Sequence, residues 1–142
     1  MLELVIRYVH FLGILALSAT LVAEKILLQP RLNEAQARKL FKIDAGYGIS
    51  AVIVLISGLT LWLLVGKPAA FYYKNWIFLT KIGVFAAVGL LSIVPTRFFA
   101  KSRKLTGEII VPASIDIVLH LQLVLLAVIP LLAVLMARGV GL

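Results

Sequence analysis

Long apolar runs interrupted by short polar segments dominate the pattern of the chain. The runs cover roughly residues 4–23, 45–65, 76–98 and 113–136, and each meets the need for about 20 residues to cross a hydrocarbon core about 30 Å thick. They lack the alternation of faces that soluble helices of this length show. Backbone polar groups in lipid must be satisfied within their own segment, so runs this continuous predict helices and not the alternating strands of a barrel. The expected fold is all-α: an integral membrane four-helix bundle forming a single domain over residues 1–142, with no sheet.

The polar segments refine this picture. Between residues 29 and 44 the pattern predicts a short amphipathic helix, with Pro30 near its start and Asn33 as N-cap before Glu34. Leu32, Ala35, Leu40 and Phe41 are expected to lie against the membrane surface, while Arg38, Lys39 and Lys42 meet head groups. Pro68 and the group Phe71, Tyr72, Tyr73 and Trp76 mark an interfacial loop and re-entry into the third span. Pro95 reads as a helix terminus or kink, and Pro112 as part of the first turn of the fourth span. Gly58, Gly83 and Gly89 read as packing residues.

Composition supports the same class. The chain is 63% hydrophobic with a mean hydropathy of +1.12, against roughly 45–50% apolar usage in soluble domains. The first run is too long for a secretory signal, has little flanking positive charge and lacks a small-residue cleavage pattern, so it is expected to be retained. With no cysteine, disulfides, thiolate metal sites, iron–sulfur clusters and covalent c-type haem are excluded.

The net charge of +8 is unevenly distributed. Lys25, Arg31, Arg38, Lys39, Lys42, Arg97, Lys101, Arg103 and Lys104 flank one side of the spans. The other side holds Arg7, Lys67, Lys74 and Arg138, and Lys81 lies inside a span. By the positive-inside rule the two long loops are expected in the cytoplasm and both termini outside, in a bacterial-type inner membrane. The basic loops then serve topology and anionic-lipid contact, and no nucleic acid is expected as a partner.

Charged groups within spans carry the functional signal, because each costs roughly 2.5–3.5 kcal/mol near the bilayer centre and normally faces the bundle interior. Arg7 and His10 share a face of span one, and Lys81 lies at nearly the depth of His10, roughly 10 Å below the outer surface. A second group lies toward the opposite side: Glu24, Asp44, Tyr47, Ser92, Thr96, and the pair Asp116 and His120 four residues apart. That spacing lets Asp116 orient His120 as it would a ligating imidazole, or simply stabilises the helix start. Asp44 and Asp116 both read as lying near helix N-termini, where the macrodipole favours negative charge. His10 and His120 are the candidate metal ligands, although helical rise separates them by roughly 10 Å along the membrane normal. No phosphate loop, HExxH or GxSxG motif is present.

Asp44-x-x-Tyr47-Gly48, Gly58-Leu59, Lys67, Tyr73, Asn75, Phe78, Lys81 and Ser92-x-x-Pro95-Thr96, together with Arg7, His10, Glu24 and His120, resemble the small predicted membrane proteins grouped as domain of unknown function 2214. More distantly, a first-span His, a basic loop, an aromatic residue before span three and a Lys inside it are similar to HemJ-type protoporphyrinogen oxidases and CopD-like copper-resistance membrane proteins. The HemJ resemblance implies haem b and functional roles for His10 and Lys81.

The expected function is binding of haem b or a porphyrin for redox work, as in a haem-dependent membrane oxidoreductase. In that reading Arg7 pairs with a propionate, His10 is an axial ligand and Lys81 is the catalytic charge or proton donor; His120 and Asp116 form a second candidate site. The alternatives are a small transporter or channel for protons or metal ions, and a structural accessory subunit of a larger membrane complex. The lipid bilayer is the expected partner, with a homo-oligomer or membrane complex beyond it.

Overall fold

The computed structural model describes residues 1–65 and 76–138. The element order is α1 (Leu2–Leu27), β1 (Arg31–Leu32), α2 (Glu34–Thr60) with a π-helical extension (Leu61–Val65), α3 (Trp76–Ser102), β2 (Ile109–Ile110) and α4 (Ala113–Ala137). Among the described residues, four helices are long and apolar enough to cross a membrane. The protein is therefore a multi-pass, all-α membrane bundle. Helix α1 packs most extensively on α2 and α3 on α4, with α2 meeting α3 and α1 meeting α4 to close the bundle.

Much of the apolar surface faces outward: Leu4, Ile49, Leu64, Leu90, Ile117 and Leu131 are all largely uncovered. In water that surface would be untenable; in lipid it is the wetted face, and small residues let the helices approach one another closely. The α1–α2 seam illustrates this. Gly13 lets the two backbones approach so closely that an added Cβ would stand 3.0 Å from both Ile53 Cγ2 and Val54 Cγ2. The main buried apolar cluster comprises Leu17, Leu21, Tyr47, Val54, Ile115 and Leu119.

The second span differs from its expected form. Asn33 does cap the helix, accepting from the Gln36 amide at 2.8 Å while Gln36 Oε1 accepts from the Asn33 amide at 2.9 Å. The helix thus started does not stop before the membrane, however. It continues as α2, so there is no separate amphipathic helix, and Asp44 lies ten residues past Glu34, about 15 Å from the helix start and beyond reach of its N-terminal dipole. Leu32 and Leu40, expected on the membrane surface, pack instead with Ala37, Phe99 and Ile109 in a second core. Arg103 stacks over Phe41 at 4.1 Å, adding a cation–π contact to that core's rim.

A small sheet also forms where none was expected. Strand β1 pairs antiparallel with β2, Arg31 opposite Ile110 and Leu32 opposite Ile109. Val111 N–H donates to Pro30 O at 2.9 Å, and Gly107 N–H donates to Glu34 Oε1 at 2.7 Å. Gly107 has φ +79°, a backbone conformation that side chains with a Cβ rarely adopt. The two loops are thereby joined into one cap over what is termed here the loop end of the bundle.

Pro95 neither ends α3 nor lies exposed. The helix runs seven residues further to Ser102, and Pro95 is buried. The carbonyl of Leu91 forgoes its usual donor, a loss that neighbouring helices in a bundle can absorb. Pro112 is the residue preceding α4, not part of its first turn. Pro68, Phe71, Tyr72 and Tyr73, expected at the membrane interface, and also Lys67, Lys74 and Asn75, lie outside the described residues.

Candidate functional site

The inward face of α2 carries Asp44, Tyr47, Ser50, Val54 and Ser57, all buried. Spacings of three and four residues place them in one stripe, and four of the five are polar. Two polar clusters grow from this stripe.

At the loop end, Glu24 of α1 and Asp44 of α2 lie close enough to interact. Glu24 is 1% and Asp44 5% exposed. Glu24 Oε1 and Asp44 Oδ1 have no hydrogen-bond partner, and no basic side chain among the described residues pairs with either carboxyl. An ionised carboxylate only accepts hydrogen bonds, so a contact between two of them requires a positive charge between the oxygens. Lys25, the neighbour of Glu24, is held elsewhere: its Nζ donates to Asp116 Oδ1 of α4 at 2.5 Å.

About one turn deeper, a chain of hydroxyls and an amide joins the other helices. Gln122 of α4, fully buried, donates from Nε2 to Tyr47 Oη at 3.1 Å and to Val88 O at 3.4 Å. Ser92 of α3 gives its proton to Gly89 O at 2.6 Å and lies near enough to Tyr47 to interact with its phenol. Gln122 Oε1 is left buried without a partner. Beside Tyr47 and Ser92, an open apolar hollow of about 190 Å3 is walled by Leu17, Ala51, Phe85 and Val88.

At the opposite end, His10 Nδ1 lies 2.8 Å from Ser57 Oγ. Ser57 gives its own proton to Ile53 O at 2.6 Å, so the hydrogen in the imidazole contact belongs to Nδ1, and a neutral ring keeps its lone pair on Nε2. The ring lies on Gly58, where a Cβ would approach His10 Cε1 to 3.1 Å. Lys81 lies near enough to act electrostatically on the imidazole, and its Nζ stands 5.6 Å from the centre of the Phe78 ring. Trp62, in the π-helical turn of α2, packs edge-to-face on Phe78 at 5.2 Å and ties α2 to α3. Such π-turns recur near functional residues.

Tyr47 and Ser57 are ten residues apart, about 15 Å along α2. Between the clusters, Leu17 and Val54 fill the interior, and Ser50 gives its hydroxyl proton to Gly46 O of its own helix at 2.8 Å.

The family of this chain is recognisable over nearly its whole length: the profile described as "Predicted membrane protein (DUF2214)" matches residues 2–141. The chain belongs to the DUF2214 family. Neither a curated protein nor a solved structure matches it. In this DUF2214 protein the structure draws together some of the sequence-derived candidates and separates others. Lys81 lies within electrostatic reach of His10. Arg7 is exposed and its guanidinium pairs with Glu3 at 2.8 Å. His120 points outward, between the buried positions Leu119 and Gln122. Asp116 turns to Lys25 and not to His120. Lys25 is fifteen residues, about 22 Å, along α1 from His10, and His120 returns only four residues, about 6 Å, from Asp116. His10 and His120 therefore stand about 16 Å apart along the bundle and do not share a centre.

Two members of the polar clusters escaped the sequence reading. Gln122 had a signal available: it is an amide in line with Ile115 and Leu119, on the face that α4 buries. Ser57 continues the Asp44, Tyr47, Ser50 stripe, a regularity visible only once α2 is known to be one helix.

Proposed function

We propose that this membrane protein handles protons inside the bilayer, as a small proton-translocating protein with two proton-holding stations. The loop-end station is the Glu24–Asp44 pair and the other is the His10 imidazole. The observation that carries the reading is the buried meeting of two carboxyls from different helices with no basic partner, an arrangement that stores a shared proton in a site costly to build for packing alone. The buried Tyr47–Gln122 hydrogen bond, with Ser92 nearby, continues the polar interior from that station toward the centre. The apolar stretch around Leu17 and Val54 separates it from His10, which suits a protein that passes protons only on rearrangement and does not leak. In the orientation this reading adopts, the loop end faces the cytoplasm, since nine basic residues flank it against four on the other side.

Reconstituted into liposomes carrying an internal pH dye and a potassium-diffusion potential, the protein should acidify the lumen faster than empty liposomes do. Glu24→Gln and His10→Gln should each reduce that rate by at least about tenfold, the scale on which removing an acid–base group acts. A wild-type rate no greater than that of empty liposomes would sink the reading.

A second reading is favoured by one specific feature. His10 has Nδ1 held at 2.8 Å by Ser57, which leaves the lone pair of a neutral ring on Nε2, the arrangement typical of a metal-ligating imidazole, and Lys81, within electrostatic reach of the ring, has the charge to meet a propionate. The residues present fit a haem b or related porphyrin, which when bound would supply one-electron redox chemistry; the chain's part would be to hold it through His10 and Lys81. A Soret band after hemin addition, lost in His10→Ala, would support this reading, and protein that stays colourless would exclude it.

A further inference from the structure

We propose that the Glu24–Asp44 pair also binds a small monovalent metal cation of the Na+ class, in competition with its proton. The inference rests on the proton-handling reading and names a second substrate for the same carboxyls. Glu24 and Asp44 are almost completely buried, lie close enough to interact, and keep Oε1 and Oδ1 without a hydrogen-bond partner. What lies between them has to be positive. A hard cation takes carboxylate oxygens as its ligands, and an alkali ion, being monovalent, leaves the site with the same charge as the shared proton. Substitution is then one for one. Two carboxyls are few for a divalent or transition metal, and among the described residues no group of three His, Cys, Asp or Glu side chains is placed to hold one.

An open hollow also lies one helical turn from the pair. Leu28, whose amide donates to the backbone carbonyl of Glu24 at 3.0 Å, lines this hollow of about 380 Å3 at the loop end, together with Gln29, Pro30, Val111, Pro112 and Asp116. A cation arriving from the loop end would meet the Asp116 carboxylate in its wall, where Lys25 bridges to it.

The test uses the purified full-length chain in detergent, its unfolding temperature followed by tryptophan fluorescence. NaCl is titrated at constant ionic strength against N-methyl-D-glucamine chloride, at several pH values. NaCl should raise the unfolding temperature where the organic cation does not. Because one proton competes with one cation, the half-saturating Na+ concentration should rise by about tenfold for each pH unit lowered through the site's titration. Asp44→Asn and Glu24→Gln should both abolish the response. An equal response to both salts, or one retained in both variants, would overturn the proposal. Should either variant fail to fold, binding of radioactive Na+ to the wild-type chain decides: displacement by acid but not by choline supports the proposal, and no binding overturns it. Proton flux without a Na+ response removes the cation site and leaves the proposed function standing; a Na+ response without proton flux does the reverse.

Discussion

Gly13 and Gln122 show how differently two interior residues contribute. Gly13 is a steric requirement: the β-branched Ile53 and Val54 opposite it have stiff side chains and little room to yield. Gly13→Val should therefore destabilise the protein by about 1–3 kcal/mol, measurable by reversible unfolding in mixed detergent. Gln122 is an orienting group. Its amide donates to the Tyr47 phenol but leaves its own Oε1 unsatisfied, and interhelical hydrogen bonds in membranes average only about 0.6 kcal/mol. Gln122→Leu should change stability by less than about 1 kcal/mol while lowering proton flux several-fold in the liposome assay. A large loss of stability with flux retained would mean that the amide is structural only. The value of single residues was partly legible from the chain. His10, Lys81, Glu24, Asp44 and Tyr47 stand out because ionisable and phenolic groups are costly in lipid. Gln122 and Ser57 do not, because an uncharged polar residue costs too little in an apolar run to mark itself.

At the scale of elements, the ends of helices departed most from expectation, and for a common reason. Spans were read from hydropathy, which marks where the chain enters lipid and not where hydrogen bonding stops. Helix α1 runs to Leu27, α3 continues through Pro95 to Ser102, and α2 begins at Glu34, each carrying helix out of the apolar core into the cap. The Asn33–Gln36 capping box is the one end signal that was local in sequence and held in structure. Asn33→Ala should cost about 1 kcal/mol of stability in thermal unfolding, with the effect confined to the loop-end cap in hydrogen exchange. The Lys25–Asp116 bridge belongs to the same region but should matter less. Its side chains are 28% and 53% exposed, so Asp116→Asn is expected to cost less than about 1 kcal/mol in the same measurement.

Over the whole molecule, the adopted orientation can be checked directly because the chain has no native cysteine. Single cysteines in place of Arg38 and of Lys104, both exposed in the loop-end region, should react with a membrane-impermeant maleimide only after cells are permeabilised, whereas one in place of the exposed Glu3 should react in intact cells. The opposite pattern would invert the bundle and reverse the direction assigned to the two proton stations. The sequence alone determined that the chain is four membrane-spanning helices with ionisable groups among them. Hydropathy over about 20 residues is a local property, and its consequence in lipid hardly depends on what the rest of the chain does. Only the tertiary structure decided which polar groups meet. It joined Glu24 to Asp44, His10 to Ser57 and Tyr47 to Gln122, and it parted His10 from His120. Those outcomes depend on the rotation and register of whole helices against one another, set by side-chain packing between segments distant in sequence, and no spacing within a single helix encodes them.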